Sequence, residues 1–328
     1  MRVEEGTATA SDGRGRSRRE LQRVLKNYGM LFAFVLVCAA LSWLSPVFLS
    51  WTNILNVVRQ SSIYGIMAIG MTFVILTGGI DLSVGSILAF SGAVAAGLLK
   101  GHAPLPVVLA AALGVGALLG LVNGIVITVG RITPFVTTLA MMTVARSLTL
   151  IFCNGYPISG FTGSFRFIGT GDLLGLPLPI VLFLATVLLA SLILRETRLG
   201  RYTYAIGGNE EAVRLSGIST GFFKTMVYVF SGAAAGLSAV ILTSRLNSAE
   251  TVAGTGYELD VIAAVVIGGT SLNGGRGGVW GTLVGALLIA VINNGMVLLG
   301  INPYYQGLVK GLILLGAVLL DRLRDEQG

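Results

Sequence analysis

Ten apolar runs, at residues 28–45, 63–80, 82–100, 107–129, 135–152, 179–195, 224–242, 258–272, 279–299 and 305–320, alternate with short polar breaks along the chain. Most approach the roughly 20 residues that a helix needs to cross a hydrocarbon core about 30 Å thick. The run at 258–272 is the shortest. None shows the strict apolar/polar alternation of an outer-membrane strand. The pattern predicts an all-α polytopic membrane protein of about ten transmembrane helices.

Basic residues orient these spans. With the N-terminus in the cytoplasm, sixteen arginines and lysines fall inside, among them Arg14, Arg16, Arg18, Arg19, Arg23 and Lys26 of the leading segment, and four (Arg59, Lys100, Arg166, Arg245) fall outside. This follows the positive-inside rule, and a miscounted interior span would move every later loop to the other side. Both termini are therefore expected in the cytoplasm. Residues 1–27 read as a disordered basic tail, 28–321 as the membrane domain and 322–328 as a short cytoplasmic tail.

Composition agrees with the pattern: 54% of residues are hydrophobic and only 11% charged, against about a quarter in soluble domains. The 46 glycines suit closely packed membrane helices. The net charge of +7 raises the question of nucleic-acid binding, but the six basic residues clustered before the first apolar run are a topology signal first. Cys38 and Cys153 have no metal-ligand spacing and read as packing residues. No G-x-x-x-x-G-K-[ST] sequence occurs, so the chain lacks a phosphate cradle of its own. His102, the sole histidine, sits in a short outer turn and supports neither a catalytic triad nor a metal site. No cofactor is expected on this chain.

Polar residues interrupt the oil at 196–223, a loop placed on the cytoplasmic side. Gly207 and Gly208 are expected to break the chain, Asn209 to cap, Glu210 and Glu211 to sit in a first turn where the helix dipole favours acids, and Gly217 to end a helix of about two turns. Glu210 and Arg214 are spaced to pair, and Ala212, Val213 and Leu215 give an apolar side. So short a helix is marginal alone, so it either packs on its own bundle or docks on a soluble partner.

The segment "GRYTYAIGGNEEAVRLSGI" (200–218) resembles the cytoplasmic coupling segment of the sugar permeases of bacterial ABC importers. "GGIDLSVGS" (78–86), "GTGYELDVIAAVVIGGTSLNGGRGG" (254–278) and "NNGMVLLGINPYYQGLVKG" (293–311) resemble further hallmarks of the ribose-type branch. The resemblance covers roughly residues 28–321. It implies an inner-membrane permease for a monosaccharide, ribose foremost, with xylose, arabinose, galactose or a furanosyl signalling molecule as alternatives. It also implies a second permease copy, a sugar-binding protein docking outside, and a separate ATPase that uses ATP and Mg and receives the coupling helix. Rival readings are a branched-chain amino-acid permease and a passive facilitator, which leaves the coupling segment without a task.

A sugar crossing a bilayer needs polar partners, because an unpaired buried hydroxyl costs roughly 2–7 kcal/mol. Asn123, Thr137, Thr138, Asn293 and Asn294 lie within spans and are read either as interhelical glue or as pathway contacts. Gly78, Gly79, Asp81 and Ser83 in one glycine motif, and Gly268, Gly269, Gly274 and Gly275 in the other, form tight turns or a gate. Asp81 either caps the third span or bonds a basic residue. Arg146 and Lys310 sit inside spans, where they pair, snorkel or function. Glu258 and Asp260, at the outer end of a span, are expected to face water or a docking partner. The outer loops at 153–178, with Tyr156, Phe161, Phe165 and Phe167, and at 243–257 either cover helix ends or, as the resemblance implies, dock the binding protein.

Overall fold

A computed structural model describes residues 30–161 and 163–325. The expected disordered tail at 1–27 and residues 326–328 lie outside the described residues. The chain runs α1 (Met30–Leu44), α2 (Trp51–Leu76), α3 (Val84–Lys100), α4 (Leu105–Thr128), α5 (Pro134–Phe152), β1 (Ile158–Ser159), α6 (Gly163–Thr170), β2 (Asp172–Leu173), β3 (Leu176–Pro177), α7 (Leu178–Glu196), α8 (Arg198–Leu215), α9 (Thr220–Leu246), β4 (Ser248–Ala249), α10 (Tyr257–Ile267), α11 (Val279–Leu298) and α12 (Pro303–Asp325). Among the described residues, α2, α4, α5, α7, α9 and α11 are long and apolar enough to cross a membrane, and α1 and α3 are apolar but shorter. The strands are two-residue antiparallel pairs, β1 with β4 and β2 with β3.

Local sequence sets the helix starts. Pro106, Pro134 and Pro179 stand in the first turns of α4, α5 and α7, where a missing N–H costs nothing. The Ser50 hydroxyl accepts the Asn53 N–H at the head of α2. Because α2 is buried along most of its length, it forms the axis of the bundle, with α7, α9, α10 and α11 around it. Ile66, Met67, Met71, Phe73, Val74 and Ile75 on α2 are fully enclosed. By contrast α4, α5 and α7 expose rows of leucine and valine, as helices facing hydrocarbon do.

The most extensive helix pairing joins α4 to α9. Residues Val108, Ala112, Gly116, Gly120, Asn123, Gly124 and Ile127 make the buried stripe of α4, a small residue at nearly every turn. Gly116 meets the backbone of Gly232, Gly120 that of Tyr228 and Gly124 that of Thr225. In lipid, where burial of apolar surface gives little driving force, such close backbone approach supplies the packing that holds two helices together. Gly116→Leu or Gly120→Leu is therefore expected to destabilise the purified protein by at least about 1–3 kcal/mol. Gly114→Leu, at a position where added side-chain atoms meet open space, serves as the neutral control in the same thermal melt.

Candidate translocation and coupling site

Three stretches of backbone meet at one end of the bundle. Leu76 ends α2, and the chain turns at Gly78, whose φ of +75° suits glycine. Beyond α10, Ser271 N–H donates to the Arg276 carbonyl at 3.0 Å, folding residues 271–276 into a small loop. Within that loop, Gly275 N–H donates to the Leu76 carbonyl at 3.0 Å. Gly207 of α8 lies on this bond: a Cβ there would overlap both the Leu76 oxygen and the Gly275 nitrogen. Gly274 is packed against Gly207 and Gly78 from the other side. Tyr204, one turn earlier on α8, donates to the Gly277 carbonyl at 2.9 Å, and partial burial raises its phenol pKa. The two glycine motifs and the polar segment are thus one junction.

Next to it, Asp81 is fully buried. Its Oδ1 accepts the Ser83 N–H (3.0 Å) and hydroxyl (2.5 Å), and its Oδ2 accepts the Ser231 hydroxyl of α9 (2.9 Å). Ser83 in turn accepts the Asn123 amide at 2.9 Å. The expected cap of the third span is therefore displaced: Ser83 holds the N-cap position of α3, and Asp81 takes an amide two residues on, in an Asx turn. Serines, not a basic residue, satisfy the carboxylate. Thr138 donates to the Pro134 carbonyl (2.9 Å) and approaches that of Ile80 (3.4 Å). Asn123 and Thr138 thus converge on the 80–83 turn.

The remaining pathway candidates separate by their bonding. Asn294 and Asn53 exchange amide hydrogen bonds at 2.8 and 3.0 Å and tie α11 to α2, so this pair is glue. Asn123 keeps a buried amide oxygen with no partner, Thr137 a buried hydroxyl and Asn293, its N–H turned toward Asp260, an amide oxygen.

Helix α8 departs from the expected form. It begins at Arg198, the Thr197 hydroxyl accepting the Gly200 N–H, and stays helical through Gly207 and Gly208. The break falls at Asn209, with φ −162° and ψ 96°, whose Oδ1 accepts the Ala212 N–H at 2.9 Å. These glycines serve close packing, not chain breaking. Gly217, at φ +81°, closes the second piece, with its own N–H bonded to the Arg214 carbonyl and that of Ile218 to the Val213 carbonyl. The expected Glu210–Arg214 pair does not form: Arg214 bonds Glu211 at 2.8 Å, which raises the guanidinium pKa further, and Glu210 reaches Lys224 of α9 at 2.9 Å. Lys224 offers Glu210 a partner fixed on another helix. The apolar side also splits, because Val213 is buried while Ala212 and Leu215 face outward. Glu211, Ala212, Arg214, Leu215 and Gly217 form an exposed ridge.

At the opposite end, Asp260 is buried and accepts Lys310 Nζ at 2.7 Å, which corrects its expected exposure. Arg146 donates to the carbonyls of Thr251 and Ala253 at 2.9 and 2.8 Å, pinning the loop before α10. Both in-span cations are therefore bonded within the bundle. Of the outer aromatics, Phe161 and Phe165 are buried edge to face while Tyr156 and Phe167 are exposed. Sequence reasoning passed over Ser231 and Tyr204, since a lone serine or tyrosine carries no signal without its partner. Among the described residues no group of histidines, cysteines or carboxylates is arranged to hold a metal ion.

A hydrogen bond to a charged group contributes about 1.5–3 kcal/mol. Ser231→Ala should lower the unfolding midpoint accordingly, whereas Ser219→Ala, at an exposed position, should leave it unchanged in the same detergent melt.

The family described as branched-chain amino acid transport system / permease component matches residues 53–318. The ribose import permease protein of Escherichia coli (strain K12) is 49% identical over 299 residues, covering 90% of this chain and 93% of that protein. That of Bacillus subtilis (strain 168) is 49% identical over 307 residues, 92% and 94% of the two chains. The D-allose transport system permease protein of Escherichia coli (strain K12) is 39% identical over 298 residues, 90% and 91%. No solved structure matches. A helical bundle with long apolar helices, matched by these permeases over nearly its whole length, belongs to the branched-chain amino acid transport system / permease component family.

Proposed function

We propose that the chain is the membrane subunit of an ATP-driven importer that carries a monosaccharide, ribose, across the bacterial inner membrane. Its ten spans are α1–α5, α7 and α9–α12, with both termini cytoplasmic. The observation that carries this reading is the junction of α8 with both glycine turns: a segment exposed on one side is in backbone contact with the turns that join α2 to α3 and α10 to α11. The greater identity to ribose permeases than to the allose permease supports the substrate.

The mechanism follows from rigidity. A separate ATPase, binding ATP and Mg, receives the ridge of Glu211, Ala212, Arg214, Leu215 and Gly217, with Asn209 bending the chain into it and Glu210 anchoring it to α9. Two copies of the permease work with it, and a sugar-binding protein delivers ribose to the outer face. When the ATPase closes, α8 moves, and the turns at 77–83 and 268–278 move with it because no side chain lies between them to yield. Asp81, bonded to both the first turn and α9, extends the motion to the longest helix of the bundle. The pathway then opens outward and takes the sugar.

Glu211→Lys or Gly217→Trp should leave the protein in the membrane at wild-type level, with ATP hydrolysis continuing and ribose uptake falling at least tenfold. Fully coupled uptake by both variants would refute the docking role. Ribose uptake that persists in native cells without the gene, while another sugar is lost, would overturn the substrate but keep the permease.

A further inference from the structure

We propose that Asp260, Asn293 and Lys310, with the Tyr64–Tyr257 ring pair, form a sugar-hydroxyl subsite in the pathway; this rests on the permease reading above. Helix α10 has 11 residues, a rise of about 16 Å, roughly half of a hydrocarbon core. The chain is consequently non-helical at membrane depth at one end of α10 or both. Such backbone is tolerated there only where protein buries it or it lines a watery cavity. The helix opens at Gly256 without a side-chain cap, and Asp260 lies in its first turn.

Four features point to a ligand. Asp260 has a side chain only 2% exposed and is neutralised by Lys310 at 2.7 Å, itself more open to solvent. Asn293, 7% exposed, turns its amide N–H toward the Asp260 carboxylate, and its amide oxygen has no hydrogen-bond partner. Its neighbour Asn294 meets the same need fully through Asn53, so an unsatisfied amide is not the habit of this stretch. The rings of Tyr64 and Tyr257 lie 4.6 Å apart, and Tyr64 lies within electrostatic range of Asp260.

The chemistry selects a neutral polyol. With its charges already paired, the cluster attracts neither a cation nor a phosphorylated sugar. The free amide oxygen of Asn293 accepts from one hydroxyl while the adjoining Asp260 carboxylate accepts from the next, a match to adjacent hydroxyls. The Lys310 ammonium adds a donor, and Tyr257, partly exposed over the enclosed Tyr64, offers a ring surface to the C–H face of a sugar. A buried ion pair is a poor stabiliser compared with apolar packing, so its presence is better accounted for by ligand contact than by stability.

The test uses the whole transporter, permease with its ATPase and ribose-loaded binding protein, in proteoliposomes. Wild-type ATP-driven ribose uptake comes first, and its absence would sink the permease reading itself. Asn293→Leu is expected to keep wild-type stability and the ATP hydrolysis stimulated by loaded binding protein while ribose moved per ATP falls at least tenfold. The double variant Asp260→Asn, Lys310→Met removes both charges, leaves none unpaired, and is expected to show the same loss. Unchanged ribose per ATP in either stable variant would overturn the subsite. So would a fall in uptake, hydrolysis and stability together in both, which marks a merely structural cluster.

Discussion

The hydrogen bond from Gly275 to the Leu76 carbonyl, with Gly207 lying on it, constrains everything around it. Backbone groups at such depth must be bonded, and here two turns satisfy each other at a point where a third segment leaves no room for side chains. Any residue other than glycine at position 207 would push α8 off the turns. This crowding calls for glycine at 207 and 274, whereas Gly78 and Gly269 answer to their positive φ. It also fixes where α8 lies, and so which of its residues face outward.

Lipid imposes the second constraint. Helices surrounded by hydrocarbon gain little from burying apolar side chains, so this bundle relies on glycine seams such as α4 against α9 and on polar groups bonded across helices. Asp81 with its serines, Asn53 with Asn294 and Asp260 with Lys310 are examples. Buried atoms left without partners include the amide oxygens of Asn123 and Asn293 and the Thr137 hydroxyl, on three of the residues that the sequence suggests for a polar route. Unsatisfied polarity is costly in such a place, which makes these positions the ones where a polar solute would gain most.

Helix positions were legible because hydropathy is a strong signal in lipid: each predicted apolar run overlaps a helix, though α2 begins twelve residues before its run, and six of the described helices are long and apolar enough to cross a membrane. Less legible was the extent of α8: two adjacent glycines suggest a break, but tertiary packing keeps them helical and Asn209 bends instead. Glu210 was assigned to Arg214 by spacing, yet Lys224 on another helix lies closer to hand, and no local rule foresees a long-range partner. Burial of Asp260 was likewise hidden, since its partner Lys310 is fifty positions away. The short helix α6 and the role of Ser231 left no mark on the pattern, because both depend on what α9 presents to them.

The most direct measurement compares ribose taken up per ATP hydrolysed by transporters carrying Gly207→Ala and Gly208→Ala. The two substitutions are chemically identical and one residue apart, but a methyl at 207 meets the Leu76–Gly275 junction and one at 208 meets open space. Transmission through the backbone junction predicts that coupling falls at least tenfold in the first variant and stays at the wild-type level in the second. Equal coupling in both would contradict it.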